Sequence, residues 1–342
     1  MAYTTINKSS DYFNTKLYTG NGGTQSITGV GFQSDFTWIK RRDTTNNHRV
    51  TDVIRGVTKE IYPDDPSAQD TRTGGLTAFG SDGFTVGDSA GYNANSGTYA
   101  SWNWKANGQG SSNTDGSINT TYTSVNTTAG FSISKYTGTG STATVGHGLG
   151  VTPKMIIFKN TSSSVDWRVY HEALGNTHRL CLNDTSASTD DDSAFNDTSP
   201  TSTVFTVGGS SSTNAGTMIA YCFAEKTGYS KFGSYTGNGN SNGTFVYTGF
   251  KPAFVMVKRT DNTNHFAIYD NKRNGFNDEN NYLRAEGNYA EGNETWGDLD
   301  ILSNGFKPKA NDGMHNASGG TYIYMAFGQS IVGSNNIPAT AR

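Results

Sequence analysis

The sequence predicts an all-β protein built as three tandem homologous antiparallel β-sandwich domains, jelly-roll-like in form. Three observations predict it. The triplet Tyr18-Thr19-Gly20 returns as Tyr136-Thr137-Gly138 and as Tyr235-Thr236-Gly237, each time opening the same order of events. Each triplet leads through a Gly/Asn/Ser/Thr turn into an apolar run that ends in lysine: Phe36-Thr37-Trp38-Ile39-Lys40, Met155-Ile156-Ile157-Phe158-Lys159 and Phe254-Val255-Met256-Val257-Lys258. Helical periodicity is missing throughout, because glycine, asparagine, serine and threonine interrupt the chain every few residues. The copies start roughly 100 residues apart, beyond the roughly 20 to 50 residue periods of solenoids and propellers and close to the size of a sandwich that folds about its own core.

A chain of 342 residues has room for two or three domains, and the repeat selects three. Apolar residues make up 33%, which 42 glycines bring near the ordinary globular range, and 12% aromatic content argues against disorder. With 16% charged residues and a formal net charge of −3, no basic field exists for nucleic acid or anionic membrane. No apolar run approaches the roughly 20 residues of a membrane span, and the start has no basic segment followed by an apolar one; neither membrane insertion nor Sec export is expected. Cys181 and Cys222 stand in strand-like patterns without a histidine partner, which predicts two free buried thiols.

Residues 1–16 read as an N-terminal arm, with Ser9 or Ser10 capping one helical turn before Tyr12 and Phe13. The first repeat covers 17–108. Its apolar run and the two counterparts are apolar at consecutive positions, which requires burial on both faces, by a second sheet on one side and another layer or a neighbouring subunit on the other. Lys40, Lys159 and Lys258 are expected to carry the chain out of the core into a turn. A closing strand in each repeat alternates, with Ala100, Trp102 and Trp104, then Ile219, Tyr221 and Phe223, then Ile323, Met325 and Phe327 pointing into each core. Residues 109–227 hold a linker and the second repeat; the Gly/Ser/Asn stretch after Ala106 reads as flexible, and Thr121-Tyr122-Thr123-Ser124-Val125 as an added strand. The third repeat spans 228–331 with a long polar loop from Asp270 to Asn293, and residues 332–342 form an extended tail that covers an edge or lies on the surface.

Chemistry is sparse. His48, His147, His171, His178, His265 and His315 show no metal-ligand spacing, and the acidic stretches at 190–192 and 270–279 lack the calcium-loop pattern, so no metal and no cofactor is expected. Neither a nucleophile elbow nor a phosphate loop occurs. Asp64, Asp65, Asp166, Glu172, Glu291 and Glu294 are the carboxylates available for a glycosidase pair, yet none recurs in all three repeats, and no catalytic residue is assigned. Tyr62, Tyr92, Tyr289 and Trp296 are the ligand-binding candidates, because each sets an aromatic ring beside Asn, Asp or Gly in a loop, an apolar face with hydrogen-bonding groups next to it.

Thr15-Lys16-Leu17-Tyr18-Thr19-Gly20, Trp38-Ile39-Lys40-Arg41-Arg42, Trp102-Asn103-Trp104-Lys105-Ala106, Pro153-Lys154-Met155-Ile156-Ile157, Trp167-Arg168-Val169-Tyr170-His171, Phe232-Gly233-Ser234-Tyr235-Thr236-Gly237 and the closing Ala339-Thr340-Ala341-Arg342 together resemble a family of virion structural proteins of marine cyanophages, pelagiphages and related phages, tail-fibre-like in label. The resemblance covers nearly the whole chain. It implies a tail fibre or spike component, assembled in the host cytoplasm and resident in the virion, that is not an enzyme, contacts other tail or capsid proteins and meets a glycan or protein on the host surface. The alternative within the same particle is a capsid decoration protein; the alternative from another class is a polysaccharide-degrading enzyme. Sandwiches in series predict a rod or knobbed spike. A homo-oligomer is expected, with a trimer the simplest case, held by sheet faces or edges because no heptad pattern is sustained.

Overall fold

The structure is a computed structural model that describes residues 4–278 and 280–330. Residues 1–3 of the expected arm and the expected tail at 332–342 lie outside these. The chain is all-β; helix is limited to single turns such as Ala90–Asn93 and Ser211–Asn214. Fourteen of its strands form three large antiparallel sheets. The first holds β1 (Phe13–Thr19), β2 (Phe36–Arg41), β3 (Arg49–Asp52) and β4 (Thr98–Trp104) in the order β1-β4-β2-β3. The second holds β5 (Tyr122–Asn126), β6 (Phe131–Thr139), β7 (Met155–Asn160), β8 (Arg168–His171) and β9 (Ala215–Phe223) in the order β5-β6-β9-β7-β8. The third holds β10 (Ser230–Thr236), β11 (Phe250–Arg259), β12 (Phe266–Asp270), β13 (Leu283–Arg284) and β14 (Thr321–Ser330) in the order β10-β14-β11-β12-β13. Without β5 and β13 the three orders are the same.

The Tyr-Thr-Gly triplet closes the first strand of each sheet, and its residues do the same work three times. The tyrosine hydroxyl donates to a backbone carbonyl of the turn before the closing strand: Tyr18 to Tyr92 O at 2.8 Å, Tyr136 to Thr213 O, and Tyr235 to His315 O at 2.7 Å. The glycine is required by close approach, since a Cβ on Gly20, Gly138 or Gly237 would lie 2.2–2.4 Å from backbone atoms of Ala94, Asn214 and Ala317. The next residue in each turn, Asn93, Asn214 or Asn316, is fully buried. Its Oδ1 accepts from the backbone N–H of Asn21, Thr139 or Asn238, and its Nδ2 donates to the carbonyls of Gly87, Gly208 or Ala310. One amide thus pins two loops to each sheet.

The consecutive apolar runs are covered on both sides, and the two covers differ in kind. On the outer face Ile39, the pair Ile156 and Phe158, and the pair Val255 and Val257 pack into three separate clusters, one per unit. On the inner face Trp38, Ile157 and Met256 enter one cluster common to all three sheets, together with Trp102, Tyr221 and Met325 from the closing strands. At its centre Trp104, Phe223 and Phe327, the last aromatic residues of β4, β9 and β14, touch one another, with ring centres 6.2, 6.0 and 5.6 Å apart around the triangle. Three sandwiches in series, each folded about its own core, describe only the outer half of this packing; the inner half is a core that no single unit completes.

Polar contacts close the units into a ring. The residue that ends the fourth strand of the common order reaches the closing strand of the next unit: Asp52 accepts from Tyr221 Oη at 2.7 Å, His171 Nε2 donates to Tyr324 O at 3.2 Å, and Asp270 accepts from Trp102 Nε1 at 3.0 Å. Unit one grips unit two, two grips three, and three grips one. Asp52 and Asp270 are fully buried, and each is neutralised by the arginine three residues on, Arg55 at 2.5 Å and Arg273 at 2.6 Å. Removing one member of such a pair leaves the other charge buried, which costs about 3–5 kcal/mol. Asp270→Ala is therefore expected to lower the denaturation midpoint by a stability loss of that order. A loss within the roughly 0.5 kcal/mol of an ordinary surface change would mean that this seam contributes little.

Candidate functional site

The aromatic candidates fall into two places. Tyr62 and Tyr92 come together on the outer face of the first sheet, around Arg49 at the start of β3. The guanidinium carbon lies 5.4 Å from the Tyr62 ring centre and 5.5 Å from that of Tyr92, a cation held between two π faces. Fully buried Glu60 completes the group, accepting from Tyr62 Oη at 2.5 Å and facing Arg49 Nε at 3.6 Å and Arg72 Nε at 3.2 Å. Burial, and then the Glu60 carboxylate, push the Tyr62 phenol above its ordinary pKa. Tyr92 is 1% exposed, with its hydroxyl against Thr51 Oγ1 at 3.2 Å. It presents no ring face to solvent, because the turn that carries it packs inward to deliver Asn93.

Tyr289 is different. It stands 52% exposed on the loop that follows β13. Arg284 of β13 lies 5.0 Å from its ring centre and 5.4 Å from that of Tyr282. The backbone on either side is tied across the seam to unit one: Asn46 N donates to Asn288 O at 2.8 Å, Glu291 N donates to Arg42 O at 2.9 Å, and the Glu291 carboxylate takes Arg42 at 2.5 and 3.0 Å. An exposed ring is thus fixed by two units at once. Trp296 belongs to the single turn Thr295–Gly297, and its side chain lies outside the described residues. The arginines beneath Tyr62, Tyr92 and Tyr289 went unread in the sequence; Arg49 stands in an alternating strand, and only that position hints at its role.

The three lysines depart from expectation. Lys40, Lys159 and Lys258 do not leave the core for solvent; all three are buried. Each strand ends at a seam, where carbonyls of the preceding unit in the ring await a donor. Lys159 Nζ donates to Pro66 O at 2.6 Å, Lys258 Nζ to Thr185 O at 2.9 Å, and Lys40 Nζ to Asn288 O at 3.5 Å, each with a second carbonyl from its own unit. Two rings beside them repeat the pattern, with Trp167 Nε1 donating to Tyr62 O at 2.8 Å and His48 Nε2 to Arg284 O at 3.0 Å. Desolvation lowers all three amines to about 8.

The carboxylates available for hydrolysis are each engaged by groups of the protein. Asp64 accepts from His48 N at 3.0 Å and is raised to about 7 by burial. Asp65 caps Ser67 N at 2.7 Å, Asp166 takes Asn183 and Arg168, Glu172 takes Lys154, and Glu294 accepts from Tyr282 Oη at 2.5 Å. Among the described residues no group of three or more His, Cys, Asp or Glu could hold a metal ion, and no helix is long and apolar enough to cross a membrane. Cys181 and Cys222 are both free and buried.

The chain belongs to the family defined by a domain of unknown function, DUF7483, whose model matches residues 8–330 and so takes in all three sheets. No curated protein matches it significantly.

The lysines make a pH-dependent contribution whose sign follows from protons bound. Unfolded lysines stay charged to about pH 10.4, while the buried ones lose their proton near 8. Between those values the unfolded chain holds more protons, so this contribution stabilises the fold as pH rises. Buried tyrosines and thiols, whose pKa is raised by burial, act in the opposite sense, so the comparison is best made between variants. The thermal midpoint of the native chain relative to Lys159→Met is expected to rise from pH 8 to pH 10. A difference that stays constant over that range would contradict the assignment.

Proposed function

We propose that this DUF7483 member is a non-catalytic structural protein of a bacteriophage particle, a component of a tail fibre or spike that presents loops to the host surface. One observation carries the reading: the residues that recur at matching places in the three units are spent on closure. The tyrosines, glycines, asparagines, lysines and closing-strand aromatics bury surface, pin loops or bridge units, and none of the recurring positions converges on a reacting centre. We take the units to be tandem homologous copies of one β-sandwich module. The shared core does within one chain what the interfaces of a trimer do between chains, so the reading no longer depends on a homotrimer. Tyr289, exposed and anchored from both sides, is the loop aromatic best placed to stack on a sugar ring or a protein side chain.

A capsid decoration protein is the second reading, and the closed body favours it, because a compact knob seats on a shell as readily as on a fibre. The two differ in number. Antibodies raised against the chain should label purified particles and slow adsorption to host cells, with few copies per particle by quantitative mass spectrometry. A copy number near that of the shell protein, with adsorption unaffected, would favour decoration; purified particles without the chain would end both readings.

A further inference from the structure

The second sheet carries an edge strand that its two counterparts lack. β5 lies outside β6, whereas the first and third sheets end at β1 and β10. The connections explain the difference. Residues 105–130 separate β4 from β6 and have room for an extra strand; residues 224–229 separate β9 from β10 and have none. Among the described residues no strand pairs with the outer edge of β10, which is engaged only at its ends, by a bridge from Lys226 to Ser230 and by Thr244 Oγ1, which donates to Thr236 O at 2.7 Å.

What fits such an edge can be read from β5. Thr123 exchanges both backbone bonds with Ser111, turned away from β6. By the alternation of an antiparallel ladder, Tyr122 and Ser124 then face Lys135 and Ile133 with theirs. Lys135 and Ile133 lie opposite Ile219 and Tyr221, as Ser234 and Phe232 lie opposite Ile323 and Met325. The backbone groups of Ser234 and Phe232 accordingly point out from the sheet, away from β14, where no strand pairs with them among the described residues. Tyr122, opposite Lys135, packs its ring against the shared core. At the matching place beside Ser234 there is instead a cleft of about 520 Å³ between units two and three, lined by Leu174, Ser188, Ser234, Thr236, Thr321 and Ile323 among others. Its mixture of apolar floor and hydroxyl walls suits a ring that ends in a hydroxyl.

Charge distinguishes this edge from β1. The clefts beside β1 are lined by Lys16, Lys251 and Lys272, the usual means of discouraging a further strand. On β10 the lysine at 231 is neutralised by Glu225 at 3.1 Å.

We propose that the outer edge of β10 is a strand-accepting site: it takes an extended segment of a partner polypeptide as a sixth strand of the third sheet, with a tyrosine opposite Ser234 seated in the cleft between units two and three. Backbone bonds supply the attachment and the cleft supplies the side-chain preference, the division of labour general to strand addition. The inference rests on the three sheets and stands whether or not the particle assignment holds.

The test uses the full chain and a fluorescent peptide with the sequence of residues 118–128, alongside the same peptide bearing Tyr122→Ser. Fluorescence anisotropy should show saturable binding of the first peptide and binding weaker by roughly tenfold or more for the second. Two protein variants localise it. Ser234→Pro removes an outward N–H at an edge position where proline is tolerated, and Ser234→Trp fills the cleft while leaving the backbone donors in place. Each should weaken binding to a similar degree with the thermal midpoint retained. Absence of saturable binding, or binding that neither variant changes, would overturn the proposal. So would self-association of the chain that Ser234→Pro abolishes, since the occupant would then be a second copy.

Discussion

The contact of Trp104, Phe223 and Phe327 at the middle of the molecule is what the remaining structure depends on. Each is the last aromatic residue of a closing strand, and each lies opposite residues of its own sheet, so that when the three rings meet the three sheets are fixed relative to one another. Around them the inner-facing apolar residues of the common strand order join one cluster with those of the other two units. A unit removed from this arrangement would keep its outer cluster and expose its inner one, which in the first unit holds both closing-strand tryptophans. Cooperation between units follows from where the aromatic side chains point.

Apolar contact fixes the sheets without choosing an order among them, and the polar residues at the seams supply the choice. Asp52, His171 and Asp270 occupy one position in the strand order but differ in chemistry, and each finds a different partner in the next unit: a phenol, a carbonyl, an indole N–H. A carboxylate set against a backbone carbonyl, or a histidine set against an arginine three residues on, would leave a buried group unsatisfied. The histidine at one of these equal positions therefore sets the seam between units two and three apart from the two carboxylate seams. The buried lysines add to this, since each amine satisfies carbonyls on both sides of a seam at the expense of its own desolvation.

Much of this was legible in the residues. The absence of helical spacing gave the all-β class, the triplets located three corresponding units, and consecutive apolar residues in the runs ending at Lys40, Lys159 and Lys258 required cover on both faces. Thr121 to Val125 read correctly as a strand, and Cys181 and Cys222 as free buried thiols. What stayed hidden was the identity of the inner cover. A strand alternates in the same way whether its inner face meets its own second sheet or two other units, so Trp102 and Trp104 carry no mark of sharing a core. The lysines misled because a charge after an apolar run ordinarily marks a chain exit; burial here depends on carbonyls brought from another unit, which local sequence does not encode. The asparagines left a signal that went unused: Asn93-Ala94, Asn214-Ala215 and Asn316-Ala317 recur shortly before each closing strand. For the aromatic candidates, a ring beside polar loop residues was too coarse a criterion to separate Tyr92, drawn inward by its turn, from Tyr289, held outward by its loop.

The most direct test of a core common to all three units is hydrogen exchange on Trp104→Ala. Truncating a buried tryptophan costs about 3–5 kcal/mol, and if the core is shared that loss must be felt wherever the core reaches. Amides of β9 in the second sheet and β14 in the third are expected to exchange faster together with those of β4. Faster exchange confined to the first sheet, with the other two protected as before, would contradict the account.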